Sequence, residues 1–265
     1  MLPLVCIDVD GTLVGETGSP SAAVWAATEA AVERGQHLAL CTARGAFGKS
    51  AEFADRLDPA GWHIFHAGAS LIHSGTGEEI KAELGLDQVE ACADAARAND
   101  WVVEFYSTRQ YSVDTDTPAA RAHAALLGVD FECSGRESLE GGIVRAQFVV
   151  DRADTHVALA AAPSGTRATS ATSPIQPGVA FVSIVKAGVN KGTAITALAE
   201  LLDTTAASVM MIGDGHNDVD ALTVVGHPVA MGNADEAALA VSDHVVATVA
   251  EDGVVEALEL STRLS

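Results

Sequence analysis

The chain has 265 residues, 48% of them apolar, enough for one large α/β domain or for a core domain carrying a smaller one, and too apolar for a disordered chain. Fifteen basic residues against 36 acidic ones leave a formal charge of −21, a field that repels nucleic-acid backbones and anionic lipid. Neither nucleic acid nor a membrane is therefore expected as a partner, and an anionic small molecule must be met by cations gathered locally.

The first residues lack a basic segment, and the apolar run Leu4 to Ile7 is too short for a signal sequence or a membrane span, so a cytoplasmic protein is expected. Cys6, Cys41, Cys92 and Cys133 are widely spaced with no CxxC pair, which reads as reduced structural thiols rather than a disulfide or zinc site.

In chain order, the strand-like "PLVCID" precedes a helix over Ser21 to Arg34, with Ser19 and Pro20 as its N-cap and first position and Gly35 as its stop. The strand "HLALCT", a helix over Ala46 to Leu57 and the strand "WHIFHAG" follow, an alternation that predicts a parallel sheet covered by helices. From about Ser74 the texture changes. A turn at "SGTGEE", a helix over Asp87 to Asn99, strands "WVVEFYS" and "QYSVD", a helix over Pro118 to Leu127, the strand "VRAQFVVD" and a helix over Asp154 to Ala162 suggest an α+β unit. Residues 164–174 read as a weak strand and loop. From Gly188 the β/α alternation resumes with a helix over Lys191 to Leu202, "SVMMIGD", a helix from Asn217, "PVAM", a helix over Asp235 to Val241, "DHVVA" and a helix from Glu251. The predicted fold is α/β: a Rossmann-like parallel-sheet core from residues 1–77 and 186–265, with a smaller α+β lid over 78–185 inserted in it.

In a parallel sheet, ligands bind beyond the carboxyl ends of the strands, which is where "DVDGT" puts Asp8 and Asp10. An aspartate there can also be a plain turn former, but Gly11 permits a tight turn with inward amides suited to an oxyanion. "IGDGHND" repeats the arrangement at another strand end and adds Asp214 and Asp218. Four convergent carboxylates repel one another at low effective dielectric unless a cation joins them, and an all-oxygen set suits Mg²⁺ rather than zinc. "LALCTAR" ends a strand with Thr42, Ala43 and Arg44, and "GVNKGTAI" puts Lys191 at a helix start. Taken singly, Thr42 reads as a cap and Lys191 as a solvated cation.

The order DVDGT, hydroxyl after a strand, lysine, GDGxND resembles the four motifs of the haloacid dehalogenase superfamily of phosphohydrolases, and more narrowly the Cof-type branch, whose lid lies between the second and third motifs. The closing segment from "VAMGNADE" onward resembles that branch too. The resemblance implies Asp8 as nucleophile and Asp10 as acid/base, with Mg²⁺ held by Asp8, the Asp10 carbonyl, Asp214 and Asp218. It implies phosphoryl contacts from Gly11, Thr42, Ala43, Arg44, Lys191 and Asn217. Two positions depart from the family pattern: Ala43 stands where glycine is usual, and Ala67 where many relatives carry asparagine. Arg109, Arg136 and Arg145 are the insert's candidates for a second anionic group, and Trp101, Phe105, Tyr106 and Tyr111 for its core. The implied function is an Mg²⁺-dependent hydrolase of small phosphate monoesters, with sugar phosphates leading. A phosphosugar mutase or a non-catalytic sugar-phosphate binder are the alternatives, and the residues leave monomer and homodimer both open.

Overall fold

The computed structural model describes residues 1–173 and 176–264. The first stretch runs β1 (Leu4–Ile7), α1 (Ala22–Glu33), β2 (His37–Leu40), α2 (Lys49–Leu57), β3 (Trp62–Phe65), β4 (Ser70–His73) and β5 (Glu79–Lys81). The middle holds α3 (Leu86–Asn99), β6 (Val102–Tyr106), β7 (Tyr111–Val113), α4 (Pro118–Leu127), β8 (Arg145–Asp151), α5 (Thr155–Ala160), β9 (Thr166–Ser173) and β10 (Gln176–Lys186). The chain then continues with α6 (Lys191–Leu201), β11 (Val209–Gly213), α7 (Val219–Val224), β12 (His227–Ala230), α8 (Glu236–Ala240), β13 (His244–Val245) and α9 (Gly253–Ser261). It divides into two compact units, Met1–Arg44 with Ser50–Ile80 and Asn190–Ser265, and Gly45–Lys49 with Lys81–Val189. No helix among the described residues is long and apolar enough to cross a membrane.

The first unit is built on a parallel sheet in the order β13-β12-β11-β1-β2. Strand β1 lies between β2 and β11, with Cys6 opposite Ala39 on one side and Met211 on the other. Its four residues are all buried, as expected of a parallel strand covered on both faces. Beyond β2, a parallel bridge between Cys41 and Ile64 brings β3 alongside. Leu4, Cys6, Met211 and Leu222 pack with Ile195 and Leu198 of α6 into the core. Because the strands are parallel, β1, β2 and β11 end at one edge, where residues 8, 42 and 214 emerge.

Several sequence expectations shift by a few residues, α7 and α9 starting at Val219 and Gly253 instead of Asn217 and Glu251. Helix α1 is capped by Ser21, not Ser19, because the Ser21 hydroxyl is the one that accepts the Val24 amide, at 3.1 Å. Helix α2 starts at Lys49 instead of Ala46, since Gly48 sits at φ +57° and interrupts the helical backbone before it.

The second unit is an antiparallel sheet, β7-β6-β8-β10-β9. Side chains alternate across it: Val103, Phe105, Phe148 and Val182 pack with Val89, Cys92 and Ala96 of α3, whereas Val102, Val149 and Phe181 pack with Ala120 of α4. On the α4 side the Tyr106 hydroxyl donates to Glu104 at 2.6 Å, and Glu104 pairs with His123 at 2.7 Å. Of the insert's arginines, Arg145 is buried over the Tyr106 ring, and Arg136 is paired with Glu90 beside Phe105. The stretch read as weak strand and loop is a strand over Thr166–Ser173, and its last residue, Pro174, lies outside the described residues.

Candidate active site

Asp8 follows directly on β1 and is 3% exposed. The chain after it folds back tightly: the Val14 amide donates to the Val9 carbonyl at 2.8 Å and the Gly11 amide to the Val14 carbonyl at 2.9 Å. Gly11 takes φ +82°, and a Cβ there would lie 2.0 Å from Asp214 Oδ2, so only glycine lets this turn close against the second acidic loop. Asp214 follows β11. Asp218 is fully buried on the 3₁₀ turn His216–Asp218, where its Oδ2 accepts the amides of Asp214 and Gly215, both at 3.1 Å. That carboxylate therefore shapes the loop carrying Asp214.

Lys191 is the first residue of α6, whose N-cap Asn190 accepts the Thr193 amide at 2.8 Å. Its ammonium group, 1% exposed, donates to Asp8 Oδ1 and Asp218 Oδ1, both at 2.6 Å. A residue that reads as a solvated cation when taken alone thus bridges acidic groups from the two ends of the chain.

Asp8, Asp214 and Asp218 can each present a carboxylate oxygen such that all three lie within 4.8 Å of one another. Burial raises the Asp8 carboxyl above its ordinary range, Asp218 adds to the effect, and Lys191 opposes it. Asp214 is pushed up to about 6, by burial first and the Asp218 charge second. In turn Asp218 and Asp8 hold the Lys191 ammonium charged against the cost of its burial. Asp8, Asp214 and Asp218 meet one buried cation, Lys191, a deficit of two charges. A divalent cation would cancel that deficit, and the donors are all oxygens, so these residues fit Mg²⁺.

Thr42 lies two residues beyond β2 and is buried; its Oγ1 accepts the Arg44 amide at 3.1 Å and keeps a proton to donate. Arg44 does not reach toward Asp8. Its Nε and Nη2 donate to Asp10 Oδ2 and Oδ1 at 2.9 and 2.5 Å. Ala43 is half-buried between them, and Asn217 is exposed on the turn before Asp218. The Ala67 amide donates to the Thr42 carbonyl at 2.9 Å and the His66 amide to the Arg44 carbonyl at 2.8 Å, which pins the loop. His66 and Ala67 both adopt left-handed backbone, at φ 52° and 55°, the conformation asparagine or glycine would relieve at position 67.

Sequence reasoning missed three residues here. The Thr12 hydroxyl reaches Asp214 Oδ1 at 3.4 Å, Asn233 donates to the Gly11 carbonyl at 2.8 Å, and the Asp235 amide donates to the Asp214 carbonyl at 2.8 Å. All three lie in quoted motifs, but nothing local marks an asparagine in a turn as the prop of a loop over two hundred residues away.

A family model described as haloacid dehalogenase-like hydrolase matches residues 5–258. The chain belongs to this family. It is a haloacid dehalogenase-like phosphatase of the Cof-type branch. It is 27% identical over 255 residues to the HMP-PP phosphatase of Cronobacter sakazakii, covering 92% of this chain and 89% of that one. A 5-amino-6-(5-phospho-D-ribitylamino)uracil phosphatase of Bacillus subtilis is 25% identical over 282 residues, with 94% of each chain covered. Among solved structures, a Bacteroides thetaiotaomicron phosphatase of the haloalkanoate enzyme superfamily superposes with a TM-score of 0.83 at 26% identity, covering 99% of this chain and 96% of that one.

Proposed function

We propose that this phosphatase is Mg²⁺-dependent and works through an aspartyl-phosphate on Asp8, with small phosphorylated metabolites as substrates and sugar phosphates the first class to test. The observation that carries the reading is the buried Lys191 ammonium on Asp8 Oδ1, which favours the ionised carboxylate against the effect of burial and leaves Oδ2 for attack on phosphorus. The names of the two relatives, each a phosphatase of a small phosphorylated compound, support the substrate class.

In the first step Asp8 forms a bond to phosphorus as the ester P–O bond breaks, and Asp10 gives its proton to the departing oxygen. In the second, Asp10 takes a proton from a water molecule whose oxygen attacks phosphorus; the Asp8–phosphorus bond breaks and inorganic phosphate leaves. Lys191, the Thr42 hydroxyl and Asn217 grip the phosphoryl oxygens as charge spreads over them. Asp8, the Asp10 carbonyl and Asp214, with Asp218 behind them, would hold Mg²⁺, which when bound supplies the charge that lets a phosphate dianion approach a carboxylate.

A phosphate-release screen over phosphorylated sugars, nucleotides and cofactors tests this reading. Asp8→Asn is expected to lower release by three orders of magnitude or more, on the order seen when a nucleophile is removed, and chelation to abolish it until Mg²⁺ is restored. Full activity of Asp8→Asn overturns the reading, and isomer formation without phosphate release would favour a mutase.

A further inference from the structure

The contact between Arg44 and Asp10 is built differently from a phosphate grip. Two of the five guanidinium N–H groups go to one carboxylate, Nε on Oδ2 at 2.9 Å and Nη2 on Oδ1 at 2.5 Å, the fork geometry that fixes a carboxylate's plane as well as its place. The Asp10 side chain is 66% exposed, so packing does little to hold its direction. Arg44, by contrast, is anchored from behind: its amide donates to Thr42 Oγ1, and its carbonyl accepts the His66 amide. The left-handed pair His66 and Ala67 is retained where it bonds the carbonyls of residues 44 and 42, which is where backbone strain has a use.

We propose that Arg44 is a positioning residue for Asp10: its guanidinium, fixed by the loop behind it, aims the acid/base carboxyl group at the leaving-group oxygen. The inference rests on the reading of Asp8 as nucleophile and Asp10 as acid/base. It separates Arg44 from Thr42 and Lys191, whose groups meet the phosphoryl oxygens, and assigns it to the step in which the ester oxygen departs. An ester whose leaving group is a stable anion needs little help from an acid, whereas an alkoxide needs a great deal. Loss of Arg44 should therefore harm the two kinds of ester unequally.

The test compares kcat/KM, which reports the steps through loss of the leaving group, for p-nitrophenyl phosphate and a hexose 6-phosphate, at saturating Mg²⁺. For Arg44→Ala the expected loss on the sugar phosphate is about 100-fold, within the range general acid catalysis supplies, and under about fivefold on the aryl phosphate. Asp10→Asn should show the same split, and adding Arg44→Ala to it should cost nothing further on the sugar phosphate. Arg44→Lys, which keeps the charge but not the fork, should show the split in weaker form and serves if the alanine variant folds poorly. Equal losses on both esters, or losses that add to those of Asp10→Asn, would mean that Arg44 holds the phosphoryl group and overturn the proposal. An Asp10→Asn variant with no split, or an active Asp8→Asn, would instead sink the reading beneath it.

Discussion

Asp214 is the residue whose charge decides whether the acidic cluster can take a cation. Burial and the neighbouring Asp218 push its carboxyl up to about 6, so in the metal-free protein it begins to hold a proton just below neutrality. A proton and a cation compete for the same oxygens; Mg²⁺ affinity should fall as pH drops through about 6, by up to tenfold per unit below it. Calorimetric Mg²⁺ titrations at pH 7.5, 6 and 5 check this, and an affinity unchanged at pH 5 would show that Asp214 is not a ligand. The acidic residues were legible in the sequence because an aspartate-glycine strand end occurs twice, in the order of the family's motifs, although either one alone also reads as a turn. Thr12 and Asn233 were not, since a hydroxyl or amide in a turn has many, and the partners are set only by folding. Lys191 lay between these cases: alone it signals nothing, and the order of motifs around it did the work.

At the scale of elements, His63 shows what strand patterning leaves out. In β3 it is fully buried, its Nδ1 accepting the Leu40 amide of β2 at 3.1 Å and its Nε2 facing the Asp58 carbonyl at 3.0 Å. Accepting at Nδ1 makes Nε2–H the donor, so the ring stands in for a missing ladder bond between two strands only while it is neutral. Burial accordingly lowers its pKa to about 4. An unfolded histidine binds a proton below about 6.5 and the folded one does not, so folding stability is full above that pH and is lost as pH falls from about 6.5 to 4, by about 3 kcal/mol in all. Urea midpoints at pH 7.5, 5.5 and 4.5 should show this loss in the wild type and a shallower one in His63→Gln; parallel slopes would contradict it. Helix ends were more legible, because Pro118 and the residues after Leu127 carry their own cap chemistry: Thr117 accepts the Ala120 amide and Gly128 takes φ 73°. Strand β9 was harder, since "TRATSATS" carries no apolar alternation and is set by its pairing with β10.

For the whole molecule, the acidic composition and the site belong to one argument. A chain of charge −21 gathers carboxylates at the ends of β1 and β11 and offsets them inside with a single buried lysine, leaving a deficit suited to a divalent cation. The α/β class was legible because the β/α alternation stops near residue 74 and resumes near 188; that residues 45–49 join the second unit was not, because their glycines carry no periodic signal. The most direct test of the account is to trap the phosphorylated enzyme: rapid acid quench of Asp10→Asn, which should form the intermediate from p-nitrophenyl phosphate and hydrolyse it slowly, followed by peptide mapping. The account predicts close to one phosphoryl group per chain, labile to hydroxylamine and confined to the peptide holding Asp8. Turnover with no protein-bound phosphate at any time, in this variant and in the wild type, or label on another residue, would contradict it.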